Sequence, residues 1–193
     1  ANILGACFVP VDCNRKTIPI SATQIRTAPF EHWQEIPNVV QNFYRKKISI
    51  FGPESTGKTT LARKLADFFN GRYIPEYART YIEASNGELE ADDMWKIARG
   101  QSIMENISYP QAGPVLVCDT DPLATTIWMD WLYKTRDVRI DQIASQHSYD
   151  VTLLLDVDTP WVADPIRYFP KDRERFFTDC KQALIRAKRP FVI

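Results

Sequence analysis

From Lys46 onward, short apolar runs alternate with longer amphipathic stretches. Lys47-Ile48-Ser49-Ile50-Phe51 reads as a short buried strand that stops at Gly52. Thr59 to Phe69 reads as a helix, with Leu61, Leu65 and Phe68 at helical spacing and Asn70-Gly71 as its stop. Arg72 to Pro75 gives a second short strand. Ala91 to Tyr109 follows as an amphipathic helix carrying Met94, Ile97, Met104 and Ile107. Val115-Leu116-Val117-Cys118 is a continuous apolar strand ending at Asp119-Thr120-Asp121, and a helix containing Ile127, Trp128 and Trp131 comes next. Val151 to Val157 predicts another buried strand, Asp172 to Lys188 a charged helix, and Pro190 to Ile193 the start of a fifth strand. Apolar strands alternating with helices imply an α/β fold whose parallel sheet is covered on both faces. Ligands of such sheets bind beyond the carboxyl ends of the strands, so the polar residues there are where function is to be sought. Residues 1–44 differ: Pro10, Pro19, Pro29 and Pro37 punctuate them about every ten residues and permit only short elements.

Composition narrows this picture only slightly. The chain has 193 residues, with 24 Lys+Arg against 24 Asp+Glu, and this balance argues against a protein that binds nucleic acid through general basicity. No apolar run reaches the roughly 18 residues that span a bilayer, and Ala1 to Pro10 lack a signal-peptide pattern. The expectation is a soluble, cytoplasmic protein. Cys7, Cys13, Cys118 and Cys180 show no paired spacing, so no zinc site or disulfide framework is expected, and Cys118 reads as a small buried hydrophobe.

Gly52-Pro53-Glu54-Ser55-Thr56-Gly57-Lys58-Thr59 fits Gly-x-x-x-x-Gly-Lys-[Ser/Thr] in full, and Thr60 follows it. The flanking strand and helix are the context this phosphate loop needs. Glycines let successive N–H groups converge on phosphate oxygens, and the helix start adds positive partial charge. Lys58 would reach the β- and γ-phosphates of ATP, and the Thr59 hydroxyl would ligate Mg²⁺. Asp119, at the end of a neighbouring apolar strand, is the expected carboxylate on the Mg²⁺ side, with Asp121 close behind. Glu76 ends the second strand, either to accept a substrate hydroxyl proton, to bind substrate, or as an ordinary charge at a helix start. In Thr159-Pro160-Trp161-Val162-Ala163-Asp164-Pro165-Ile166-Arg167, Trp161 suits stacking on a flat ring and Asp164 suits sugar hydroxyls, although a core Trp is the plain alternative. Arg167 and Arg173 lie on a segment that could close over the phosphates and stabilise transferred charge.

Taken in order, Phe51 to Thr59, Glu76-Tyr77-Ala78-Arg79, Asp119-Thr120-Asp121 with Thr125-Thr126, and Thr159 to Asp164 with Arg167 resemble the ribosylnicotinamide kinases. More closely, they resemble the kinase half of the bifunctional nicotinamide-nucleotide adenylyltransferase/ribosylnicotinamide kinase (NadR-type) family. The resemblance implies a P-loop kinase domain over 45–193 that phosphorylates the 5′-hydroxyl of nicotinamide riboside to the mononucleotide. It implies Lys58, Glu76, Asp119 and Arg167 as catalytic groups, with Glu76 or Asp119 as the base. Gly52, Glu54, Ser55, Thr56, Gly57, Thr59, Thr60 and Arg173 would surround the nucleotide, and Tyr77, Arg79, Asp121, Trp161 and Asp164 the riboside. A kinase for another nucleoside or nucleotide, or a nucleotide-binding regulatory module, stays open as the alternative. A homo-oligomer also stays open, while neither membrane nor nucleic acid is an expected partner.

The resemblance extends to the beginning. Ile20-Ser21-Ala22-Thr23-Gln24-Ile25-Arg26 is similar to the C-terminal motif of nucleotidylyltransferases, with hydroxyls and an arginine at a helix start suited to phosphates. Residues 1–44 are therefore expected to be a short helical remnant of such a domain and its linker. His32 and His147 are the only histidines, and neither lies in the His-x-Gly-His pattern that adenylyl transfer by this class requires. Incubation of the 193-residue chain with nicotinamide mononucleotide and ATP is expected to yield no NAD; NAD detected by chromatography would contradict this.

Overall fold

The computed structural model describes residue 9, residues 12–164 and residues 167–193. Cys7, Pro10, Pro165 and Ile166, which entered the sequence reading, lie outside the described residues. The chain divides into two compact units at Tyr44/Arg45.

The first unit holds α1 (Ala22–Thr27), a 3-10 turn (Trp33–Glu35) and α2 (Asn38–Tyr44). Ser21 caps α1 reciprocally: its hydroxyl accepts from the Gln24 N–H at 3.1 Å, and its own N–H donates to Gln24 Oε1 at 2.8 Å. The hydroxyl proposed to face phosphates thus closes its own helix. Arg26 belongs to the last turn of that six-residue helix rather than to its start. The buried Trp33 and Ile36 anchor the turn, and Gln41 Nε2 donates to both of their carbonyls at 3.2 Å.

The second unit is a five-stranded sheet in the order β2-β3-β1-β4-β5, parallel throughout. Its strands are β1 (Lys46–Phe51), β2 (Arg72–Ile74), β3 (Val115–Asp119), β4 (Val151–Leu154) and β5 (Phe191–Val192). Every residue of β3, flanked by β2 and β1, is buried, which is why its sequence is so continuously apolar up to Asp119. Between the strands run α3 (Lys58–Phe68), α4 (Tyr77–Ala84), α5 (Ala91–Ser108), α6 (Pro122–Tyr133), α7 (Val138–Gln146) and α8 (Arg173–Arg186). Phe51, Leu154, Trp131, Phe176 and Leu184 form one core cluster, while Met94, Ile97, Met129 and Ile140 form another among α5, α6 and α7. No helix among the described residues is long and apolar enough to cross a membrane.

Several expectations change. The α3 helix buries Ala62 and Ala66 and leaves Phe68 78% exposed, because small residues are what let a helix backbone lie close on a sheet. Helix α5 buries Gln101 and Glu105 while Ile107 points outward, so its core face is partly polar. The fourth strand ends at Leu154 rather than Val157. Its partner β1 ends at Phe51, whose carbonyl takes the Leu155 N–H at 2.8 Å before the chain turns away. Helices α4 and α7 were not anticipated; both are amphipathic but short, at eight and nine residues.

Asp121 ties three of these elements together. Its side chain caps α6 by accepting from the Leu123 N–H at 2.7 Å, ahead of Pro122 in the first turn. The other oxygen accepts from Ser49 of β1 at 2.7 Å and from Arg189, just before β5, at 2.8 Å. Both charged side chains are out of solvent, with 0% and 8% exposure. Removing one member of a buried pair leaves the other uncompensated. Asp121→Ala is expected to lower unfolding free energy in urea by about 3–5 kcal/mol. A loss below about 1 kcal/mol, the level of an exposed pair, would contradict this.

Candidate active site

The loop between β1 and α3 curls because three of its residues adopt the left-handed region: Gly52 at φ +129°, Ser55 at +58° and Gly57 at +84°. At Gly52 space matters as well, since a Cβ there would fall 2.7 Å from the Leu155 carbonyl oxygen. Gly57 is the N-cap of α3, so the amides that open the helix face the loop's hollow. Thr56 Oγ1 and Lys58 Nζ both donate to the Pro53 carbonyl, at 2.9 and 2.6 Å. A concave arrangement of amides with a lysine lying across it is a polyphosphate cradle.

Register places the acidic side. Ile50 pairs with Asp119 across β1 and β3, so the two strand ends stand next to each other. Thr59 Oγ1 donates to Asp119 Oδ2 at 2.5 Å, and the Tyr73 hydroxyl reaches the same oxygen at 3.3 Å. Burial and the Asp119 charge push the Tyr73 phenol up to about 12. Asp119 Oδ1 is buried and has no hydrogen-bond partner among the described residues. Thr120, β-branched yet at φ +70°, turns the chain sharply between Asp119 and Asp121.

A cavity opens from the loop towards α4, α5 and α6. Glu54, Ser55, Thr56, Gly57, Lys58, Thr59 and Thr60 line its loop end, with Glu76, Arg79, Asp121 and Arg167 around them. Burial raises the pKa of Glu76, aided by Asp119 and opposed by Lys58, Arg79 and Arg167. Burial also pushes Glu54 up to about 7, against the Tyr168 N–H that it accepts at 2.7 Å and the charge of Lys58. The far end of the cavity is apolar, formed by Ile82, Leu89, Met94, Ile97, Trp128 and Leu132, with Tyr168 beside them.

Residues 159–164 and 167–173 fasten onto the loop. Thr159 Oγ1 donates to the Ser55 carbonyl at 2.8 Å, and the Val162 N–H donates to Ser55 Oγ at 2.8 Å. Arg173 donates to the carbonyls of Glu54, Ser55 and Thr159 at 3.2, 3.0 and 2.9 Å. Its guanidinium lies 5.9 Å from the Trp161 ring centroid. Arg167 donates to the Val162 carbonyl while also lining the cavity. Arg79 pairs with Asp164 at 3.1 Å, joining α4 to this segment.

The structure therefore gathers most of the anticipated residues at one end of one cavity. Asp119 and Asp164 do not line it but bond to Thr59 and Arg79, which do, whereas Tyr77 and Trp161 are placed differently. Neither lines that cavity; the Tyr77 ring packs against Gly100, where an added Cβ would fall 2.1 Å from the ring, and Trp161 meets Arg173. The aromatic groups on the cavity wall are Trp128 and Tyr168, their ring centroids 6.3 Å apart. Trp128 stood in the sequence only as a helix residue; its place beyond the carboxyl end of β3 was the available signal.

Residues 47–193 match the family model of the AAA domain. Two trifunctional NAD biosynthesis/regulator proteins NadR, of Escherichia coli (strain K12) and Salmonella typhimurium (strain LT2), are each 34% identical, over 90% and 85% of this chain. The chain spans 44% and 41% of the length of those relatives. A crystal structure of NadR protein in complex with NR is 29% identical with a TM-score of 0.70, covering 93% of this chain and 51% of its own. One in complex with NAD and AMP-PNP is 27% identical with a TM-score of 0.68, covering 94% and 52%. Thymidylate kinase from Ehrlichia chaffeensis, at 16% identity and a TM-score of 0.55 over 77% of this chain and 85% of its own, shares the fold.

The raised Glu54 carboxyl makes a prediction about stability. The unfolded chain ionises near the ordinary value of 4.5 and the folded chain only near 7, so stability is lost as pH rises between these values. In Glu54→Gln the fall in Tm from about pH 4.5 to about 7 is expected to be shallower. Equal slopes in the two proteins would contradict the assignment.

Proposed function

The chain belongs to the AAA-domain family, and from that premise we propose that it is a P-loop kinase for nicotinamide riboside, moving the γ-phosphoryl of ATP to the riboside 5′-hydroxyl. The observation that carries this reading is the polarity of the cavity. A phosphate loop, two carboxylates and two arginines stand at one end, and an apolar wall with two aromatic rings stands at the other. The first end suits a polyphosphate and the second suits a flat heteroaromatic ring joined to a sugar. The likeness to NadR protein in complex with NR supports this choice of acceptor.

The loop amides and Lys58 hold the phosphates, with Lys58 exchanging the Pro53 carbonyl for phosphate oxygens. The Thr59 hydroxyl and the unpartnered Asp119 Oδ1 are adjacent hard oxygen donors, which fits Mg²⁺. Mg²⁺ held there would neutralise charge on the β- and γ-phosphate oxygens. In this reading Asp119 serves the metal side and Glu76 is the acceptor-side base. Its raised proton affinity suits it to take the hydroxyl proton as the oxygen attacks the γ-phosphorus and ADP departs with the electron pair of the broken bond. Arg167 and Arg79 offset charge on the transferred group, while Asp164 orients Arg79. Arg173 holds the loop carbonyls, and Trp128 with Tyr168 takes the ring position that Trp161 was expected to fill.

Titration of nicotinamide riboside with Mg-ATP, following ADP and mononucleotide together, is expected to show equal amounts of both. A panel of other nucleosides separates the acceptor from rivals. Lys58→Ala is expected to lower turnover by about a hundredfold to a thousandfold. Near-normal turnover in that variant, or ADP formed without mononucleotide, would overturn the assignment.

A further inference from the structure

Glu76 occupies the N-cap of α4, a position where a side-chain oxygen ordinarily folds back to accept from the amide of the second or third helical residue, here Ala78 or Arg79. It makes no such bond. The amide of the first helical residue, Tyr77, which an N-cap side chain does not ordinarily reach, donates to Gln101 Oε1 of α5 at 2.9 Å. Gln101 is 2% exposed, so both ends of its amide need partners. Its Nε2 donates to Glu105 Oε1, one turn further along α5, at 3.1 Å.

Glu105 is fully buried, with Lys47 Nζ at 2.7 Å, the Tyr149 hydroxyl at 2.8 Å and His147 Nδ1 at 3.1 Å on its other oxygen. His147 is held in turn by Ser102 at 2.7 Å from Nε2. Burial works to raise the Glu105 pKa, but His147 and the Lys47 ammonium together outweigh it and hold the carboxyl below its ordinary value. An ionised carboxylate only accepts hydrogen bonds. Gln101 must therefore turn its NH₂ to Glu105 and its carbonyl to Tyr77. Charge at Lys47–Glu105 thus sets the direction of an amide that reaches the active-site wall.

We propose that Gln101 is a positioning residue: oriented by the Lys47–Glu105 ion pair, it caps the Tyr77 amide and so fixes the turn that presents the neighbouring Glu76 carboxylate to the cavity. The assignment rests on Glu76 being the acceptor-side base. Gln101 itself lines the cavity beside Glu76, so the support comes from within the site.

The test compares Gln101→Met with Glu76→Gln. Methionine keeps length and burial but neither accepts from Tyr77 nor donates to Glu105, which retains its other partners. Gln101→Met is expected to lower kcat for riboside phosphorylation about tenfold to a hundredfold, with the KM for ATP unchanged. In the unaltered protein the Tyr77 amide is expected to exchange slowly by NMR, while Ala78 and Arg79, the next first-turn amides, exchange fast; in Gln101→Met all three become fast. Tyr77 exchanging as fast as Ala78 in the unaltered protein overturns the cap without reference to activity or to any variant's folding. Normal kcat in a folded Gln101→Met alongside an impaired Glu76→Gln overturns the positioning role alone. Normal kcat in Glu76→Gln overturns the reading of Glu76 and, with it, the positioning role.

Discussion

The pairing of Ile50 with Asp119 is the constraint from which the working end of the second unit follows. Parallel strands in this register finish together, so the turn after β1 and the carboxylate after β3 are delivered to the same place. Everything beyond is local consequence. The chain must leave Phe51 sharply, because the Leu155 N–H already takes its carbonyl and Gly52 has no room for a Cβ. That exit directs the amides of α3 at a hollow and sets Thr59 within 2.5 Å of Asp119. A slip of one residue would turn Asp119 to the opposite face of the sheet and dissolve the pair.

The same geometry crowds acids around one lysine. Glu54, Glu76 and Asp119 all feel Lys58 or one another, and two of them are held above the ordinary carboxylate range by burial. Such an arrangement is unfavourable in a protein folded for stability alone, because buried carboxylates with raised pKa lose stability as pH rises. It is reasonable where a cation and a polyphosphate complete the charge pattern. Asp119 Oδ1, without a donor among the described residues, points the same way: a buried oxygen so placed is costly, and an oxygen-seeking cation would remove that cost.

What could be read from the chain beforehand follows physical lines. The strands were legible because parallel strands buried on both faces leave unbroken apolar runs, and the phosphate loop because its curl requires glycine at Gly52 and Gly57. Helix faces were less legible. Phe68 and Ile107 are apolar yet exposed, while Gln101 and Glu105 are polar yet buried, so periodicity found Met94 and Ile97 of α5 but missed the polar part of its core face. Trp161 was expected to face the cleft because it follows a strand end. Which aromatic side faces the cavity depends instead on Arg173, whose guanidinium is fixed by three carbonyls and covers Trp161. Long-range partners of that kind leave no trace in local spacing.

Ser55 shows how little the loop needs to change in order to act. Its carbonyl and hydroxyl are held by Thr159, Arg173 and Val162, so the left-handed turn at this residue is imposed from outside the loop. A backbone held that way does not wait for phosphate to shape it. The one bond that must be exchanged is that of Lys58 with the Pro53 carbonyl. Replacing a neutral carbonyl by a charged phosphate oxygen would add the attraction of opposite charges to that bond, so the lysine would move downhill into place while the amides stay where they are. Preorganisation of this sort leaves more of the nucleotide's binding energy for the transferred charge itself.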